Sequence, residues 1–195
     1  VTSQKGCIGK AGETHYYYLT EDIICDGGVA GVGVEGNVVL CLNGHNLQIT
    51  GKRRRLYVRN EADADTTFTI CDCNRDSHSI EVEVDGNKYS YSYYGGAIKN
   101  VSLGISVGTL NLYNSMICQY NGNTTAVNII GNSNTKAGGV SVSGIFNMYG
   151  GQIAGNHKTS IASNGGAVIL NVSDDTHYPT FNMYGGRIED NMADN

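Results

Sequence analysis

Three tyrosines in the second half of the chain, Tyr113, Tyr149 and Tyr184, follow one another at offsets of 36 and 35 residues. Each stands two positions after an asparagine: Asn111, Asn147 and Asn182. Phenol rings and carboxamides at a fixed interval suit carbohydrate. A ring face covers the apolar face of a pyranose, while hydroxyl and amide groups hydrogen-bond the sugar hydroxyls. Stacked rings can equally shield the outside of a sheet with no ligand at all. A second group, Tyr89-Ser90-Tyr91-Ser92-Tyr93-Tyr94, alternates with period two and is expected to present Tyr91 and Tyr93 on one exposed face. These eight residues, three Asn and five Tyr, are the candidate ligand-binding set.

Catalysis on a polymer would need more. Hydrolysis or lyase chemistry requires carboxylates gathered on one face, or a bound calcium with a base to take up a proton. Asp174 and Asp175 with His177, in the loop Ser173–Tyr178, are the best candidates, although paired aspartates in a loop are ordinarily turn formers. Glu61, Asp63 and Asp65 form an acidic run that could ligate calcium, the one cofactor the sequence leaves open. Neither group has a basic residue at a defined partner position. No catalytic residue is therefore assigned.

Six cysteines stand at 7, 25, 41, 71, 73 and 118, five of them in the first 73 residues. An even count favours disulfides and an oxidising compartment. At least two bridges are expected among Cys7, Cys25, Cys41, Cys71 and Cys73, tying the less regular part of the chain. The sharper alternative is zinc held by Cys71, Asp72, Cys73 and His78. A Cys-x-Cys pair without a matched second pair argues against it, so no metal site is assigned.

The elements that must position these groups are read from composition and periodicity. The 195 residues include 27 Gly and 21 Asn, but a single Pro and no Trp. Gly and Asn are poor helix formers that tolerate the left-handed backbone of tight turns. No window sustains the apolar spacing of a helix, so a helical bundle is excluded. With 40% apolar residues the chain is not disordered. A net charge of −5 argues against nucleic acid as a partner. The basic run Lys52-Arg53-Arg54-Arg55 is read as a solvated turn. No stretch approaches the roughly eighteen apolar residues that a membrane span needs. Val1–Lys5 has no apolar signal region, so any secretion signal lies outside this sequence.

Internal repetition is the strongest signal. Phe146-Asn147-Met148-Tyr149-Gly150-Gly151-Gln152-Ile153 recurs as Phe181-Asn182-Met183-Tyr184-Gly185-Gly186-Arg187-Ile188, with a degenerate copy beginning at Leu110-Asn111-Leu112-Tyr113. Fainter copies stand at Val39–Leu47 and Phe68–Asp72, giving about five units. Alternation points Phe146, Met148 and their equivalents inward and Asn and Tyr outward, returns Ile153, Ile188 and Ile117 to the core, and closes the turn with Asn156 and Asn191. Gly-Gly openings at 95–98, 138–142 and 165–169 look equivalent. That alignment sets Lys99 against Val142 and Ile169, however, and yields no single phase. Short strands cannot bury a face alone, so the copies must stack, and a solenoid follows.

The Gly-Gly-Ala-Ile element, the Phe-x-Met-x-Gly-Gly-x-Ile-x-x-Asn repeat and the segment Leu42-Asn43-Gly44-His45 resemble those of bacterial right-handed parallel β-helix surface proteins. The first element is also similar to one in the polymorphic outer-membrane proteins of chlamydiae. Tyr149 and Tyr184 depart from the pattern, which commonly has a small polar residue there. The resemblance implies an all-β, right-handed parallel β-helix of about five coils forming a single domain. Residues 1–35 would be its N-terminal cap, with Tyr16-Tyr17-Tyr18 in a covering strand, 36–94 irregular coils and 95–195 regular ones. The resemblance specifies function poorly; a repeat that leaves no stacked carboxylates but places Tyr at one outward position in three coils points to a non-catalytic, extracellular adhesin-like module, monomeric as a unit, that binds glycan or a host surface protein without inserting in the membrane. The chain is expected to continue past Asn195, since it stops just after a repeat. The alternatives are a polysaccharide lyase or glycoside hydrolase fragment using Asp174, Asp175 and His177, and a structural stalk without ligand.

Overall fold

The computed structural model describes residues 7–28, 31–50, 55–58, 66–84, 86–99, 102–105, 109–113, 116–118, 139–158, 166–172 and 178–193. The described residues contain strands and turns and no helix. The chain is all-β, and the strands of its two large sheets pair in parallel.

Three series of strands build those sheets. The first contains β5 (Arg55–Val58), β10 (Ser102–Ile105), β13 (Val140–Val142) and β17 (Val168–Leu170), paired in that order. The second contains β6 (Thr67–Cys71), β11 (Thr109–Leu112), β14 (Ile145–Met148) and β18 (Thr180–Met183). The long strand β3 (Val32–Cys41) joins them, pairing through Val32–Val34 with β5 and through Asn37–Cys41 with β6. On its other edge β3 carries β1 (Cys7–Tyr18), so Tyr16-Tyr17-Tyr18 lies in an outer strand. The third series is a separate six-stranded sheet of β2 (Ile23–Asp26), β4 (Leu47–Thr50), β9 (Ala97–Lys99), β12 (Met116–Cys118), β15 (Gln152–Ala154) and β19 (Arg187–Glu189). Residues 7–26 add strands to both large sheets, β1 on β3 and β2 on β4.

Period-two sequence fixes which face each strand buries. In β6, Thr-Phe-Thr-Ile-Cys, only Phe68 and Ile70 are buried, and β11 buries only Leu110 and Leu112. Register stacks Phe68, Leu110, Phe146 and Phe181 in one column and Ile70, Leu112, Met148 and Met183 in the next. The rings of Phe146 and Phe181 lie parallel, with centroids 4.9 Å apart. Ile98, Ile117, Ile153 and Ile188 share a column on the third series. One continuous apolar core results, from Leu19 to Ile153, with Phe181 and Ile188 packed against it.

The Gly-Gly openings are not equivalent, which corrects the sequence alignment. Ala97-Ile98 stacks through Met116-Ile117 on Gln152-Ile153 and Arg187-Ile188. Gly95-Gly96 therefore matches Gly150-Gly151 and Gly185-Gly186 on the third series. Val140-Ser141-Val142 belongs to the first series and pairs with Val168-Ile169-Leu170. Lys99 never shares a column with Val142, and the missing phase is explained.

Residues 77–94 also depart from expectation. Within the span read as irregular coils, β7 (Ser77–Val84) and β8 (Asn87–Tyr94) form an antiparallel hairpin that turns at Gly86. Two short strands, β16 (His157–Lys158) and β20 (Met192–Ala193), pair in parallel beyond the third series.

Candidate functional site

The face built by β6, β11, β14 and β18 carries three outward columns. Nearest the strand starts are Thr67, Thr109, Ile145 and Thr180; then come Thr69, Asn111, Asn147 and Asn182. Backbone hydrogen bonds Tyr113 N to Ile70 O (2.9 Å), Tyr149 N to Leu112 O (2.9 Å) and Tyr184 N to Met148 O (2.8 Å) carry the ladder one residue further. They align Tyr113, Tyr149 and Tyr184 as a third column, in line with Cys41 and Cys71 on the preceding strands.

Six of the eight expected residues therefore sit together, and the geometry refines their chemistry. Tyr113 and Tyr149 stack at 4.7 Å and 9°, and Tyr149 and Tyr184 at 4.9 Å and 11°. Ring faces are spent on neighbouring rings, so an interior ring such as Tyr149 shows solvent its edge and hydroxyl. Exposure is 40% for Tyr113, 41% for Tyr149 and 66% for Tyr184. Beside the rings runs an amide ladder. Asn182 Nδ2 donates to Asn147 Oδ1 at 2.9 Å, Asn147 Nδ2 to Asn111 Oδ1 at 3.0 Å, and Asn111 Nδ2 to Thr69 Oγ1 at 3.3 Å. At the turn, Asn156 N and Nδ2 both donate to Asn191 Oδ1, at 3.1 and 2.7 Å.

Tyr91 and Tyr93 correct the expectation of an exposed pair. They are only 5% and 7% exposed, packed with Ala97 and Ala154 where the hairpin lies over the third series. A Cβ on Gly155 would come 2.9 Å from the Tyr91 ring, so glycine there makes room for it. The alternation was legible, but its phase was not: small residues at 97, 154 and 155 create a seat that draws these rings inward. Tyr94, on the opposite face, is the exposed one. Burial, then the Asp190 charge, pushes the Tyr91 phenol up to about 12.

The cysteines also differ from expectation. Cys25, Cys41, Cys71 and Cys73 are free thiols, so the two bridges expected are not formed. Cys25 lies on β2, in the other large sheet from Cys41 and Cys71. Cys41 and Cys71 are register partners on adjacent parallel strands, and Cys41 Sγ lies 3.2 Å from Cys73 Sγ in a thiol contact. The zinc alternative meets a different arrangement. Asp72 accepts hydrogen bonds from Gly44 N (3.1 Å), Asn74 N (2.8 Å) and Gly96 N, and His78 packs against the Tyr93 ring. Among the described residues no cluster of His, Cys, Asp or Glu is arranged to hold a metal ion. The Asp72 cradle was missed in the sequence; its signal was the pairing of an aspartate with glycines at 44, 95 and 96.

Asp174, Asp175 and His177, the calcium candidates Glu61, Asp63 and Asp65, and the basic residues Lys52, Arg53 and Arg54 lie outside the described residues. Comparison with protein-family models, curated proteins and solved structures gives no match.

Proposed function

We propose that the chain is a right-handed parallel β-helix acting as a non-catalytic, extracellular adhesin-like module. It binds glycan or a host surface ligand along the face that carries Tyr113, Tyr149 and Tyr184. The β-helix reading is supported by three parallel series to which the later units each contribute one strand. Parallel connections of this kind are right-handed in nearly all cases. With four free thiols, cysteine pairing no longer supports an extracellular site; that assignment rests on the resemblance.

The observation that carries the binding reading is the grid of half-exposed Thr, Asn and Tyr in register on one lateral face. Its polar groups repeat at the strand spacing of about 4.8 Å. Its outward columns hold no carboxylate, which is why binding is preferred to hydrolysis. One observation favours the structural stalk as a second reading: ring faces occupied by neighbouring rings shield the sheet whether or not a ligand is present.

A glycan array probed with wild type and with Tyr149→Ala/Tyr184→Ala separates the readings. Binding lost in the double variant supports the module, and wild type that binds nothing supports the stalk. Release of reducing or unsaturated ends from any polysaccharide would overturn the non-catalytic reading.

A further inference from the structure

The sequence invites a stacking site for sugar rings, but between neighbouring rings of the row the geometry leaves no room for that mode. A pyranose stacks on an aromatic ring by lying parallel to it in contact with its face. At 4.7 and 4.9 Å between centroids and 9–11° between planes, no gap in this row admits a sugar. What repeats toward solvent is a phenol hydroxyl, one for each of three consecutive strands. Alongside it runs a carboxamide that is only partly spent. An amide offers two N–H groups and two oxygen lone pairs. Asn147 uses one N–H on Asn111 and one lone pair on Asn182.

Resting on the binding reading above, we infer that this face recognises its ligand by hydrogen bonds from a periodic row of hydroxyls and amides. The ligand is an extended, linear, polyhydroxylated chain running across the strands, with one repeat unit on each. Tyr113 with Asn111, Tyr149 with Asn147 and Tyr184 with Asn182 form three equivalent subsites. The outermost column, Thr109, Ile145 and Thr180, is polar in two of its three members and widens the face. The subsites follow a nearly straight line about 4.8 Å apart, so a ribbon-like glycan with equatorial linkages can follow them and a curled one cannot. A single sugar meets one subsite only. Affinity therefore grows with chain length until three units are engaged, because later contacts form intramolecularly.

The test is titration of wild type, Tyr149→Phe/Tyr184→Phe and Tyr94→Phe with cello-oligosaccharides of one to six units and with malto-oligosaccharides. Phenylalanine preserves the ring ladder, so the double variant keeps the fold, as an unchanged thermal midpoint verifies. Tyr94→Phe removes an exposed hydroxyl outside the row. The expected result is affinity that rises up to the trimer, favours the extended series, and falls about tenfold or more in the double variant while Tyr94→Phe matches wild type. Wild-type binding that survives Tyr149→Phe/Tyr184→Phe refutes this inference alone, since rings without hydroxyls would then suffice. A preference for the curled series or for monosaccharide refutes it too. Wild type that binds neither series refutes this inference, while the binding module itself stands or falls on the glycan array.

Discussion

Asp72 shows how much one carboxylate can organise. It sits between two cysteines, the pattern of a metal ligand, yet it ties the turn at Gly44, its own loop at Asn74 and the start of β9 at Gly96. Hydrogen bonds to a charged acceptor are stronger than neutral ones, and amides left unpaired on its removal carry their own penalty. Asp72→Ala is expected to cost about 3 kcal/mol, read as a lower urea midpoint, with Asp72→Asn intermediate. A midpoint within error of wild type would dismiss the cradle as incidental. Two other residues set an alkaline limit. Burial first, then Cys41, pushes the Cys71 thiol up to about 11 from an ordinary 9.0, and burial likewise pushes Tyr91 up to about 12 from 10.0. Both raised values mean that folding favours the neutral form. Their contribution is complete below pH 9.0 and is lost as pH rises through 9.0 to about 11 for Cys71 and 10.0 to about 12 for Tyr91. The urea midpoint should therefore fall between those limits, and less steeply in Cys71→Ser and Tyr91→Phe. A wild-type midpoint flat across that range would contradict both shifts.

At the scale of elements, glycines mark where backbone meets backbone, and their neighbours decide what a side chain would cost. A Cβ on Gly96 would lie 1.9 Å from His45 O and 2.8 Å from Leu42 Cβ, with no flexible side-chain end to yield. Gly86, at the hairpin turn, has nothing within 4 Å and a φ of +76°. Gly96→Ala is expected to cost on the order of 3 kcal/mol through steric conflict. Gly86→Ala should cost only about 1 kcal/mol, for the left-handed backbone. Equal thermal midpoints for the two variants would refute this ranking. The same glycines explain where sequence reading succeeded and where it slipped. Phe146-Asn147-Met148 were assigned the right faces because period two in a parallel ladder leaves no other choice, and Phe181 follows Phe146, whereas Met183, in register with Met148, is 47% exposed. The openings at 95, 138 and 165 were misaligned because Gly-Gly-small-apolar describes the approach to a strand on either sheet. Only strand pairing tells the two apart, and pairing is a long-range property. The hairpin of β7 and β8 was missed for the related reason that its strands alternate as the stacked ones do.

For the whole molecule, stacking predicts a gradient of stability along the core. Phe146 is fully buried between Leu110 and Phe181, whereas Phe181 belongs to the same column but has a described neighbour on one side only. Identical side chains in identical local sequence thus differ through what covers them. The repeat was legible from the first reading, but this difference was not, because the two copies read alike and coverage is set by stacking order. Phe146→Ala removes a packed ring and leaves a cavity, at about 3–5 kcal/mol. Phe181→Ala removes a half-covered ring whose site stays open to water, and should cost roughly half as much, since less apolar area is uncovered and no closed void forms. Hydrogen exchange should show the same order without mutation. Amides of β6 and β11, paired on both edges, exchange through rare openings, while those of β18, paired among the described residues to β14 alone, exchange through local fraying. Equal protection of β18 and β11 in the 195-residue chain, together with equal losses from the two Phe variants, would mean that β18 is covered from its outer side in solution. In that case the stack would not end at the strand where the described pairing ends.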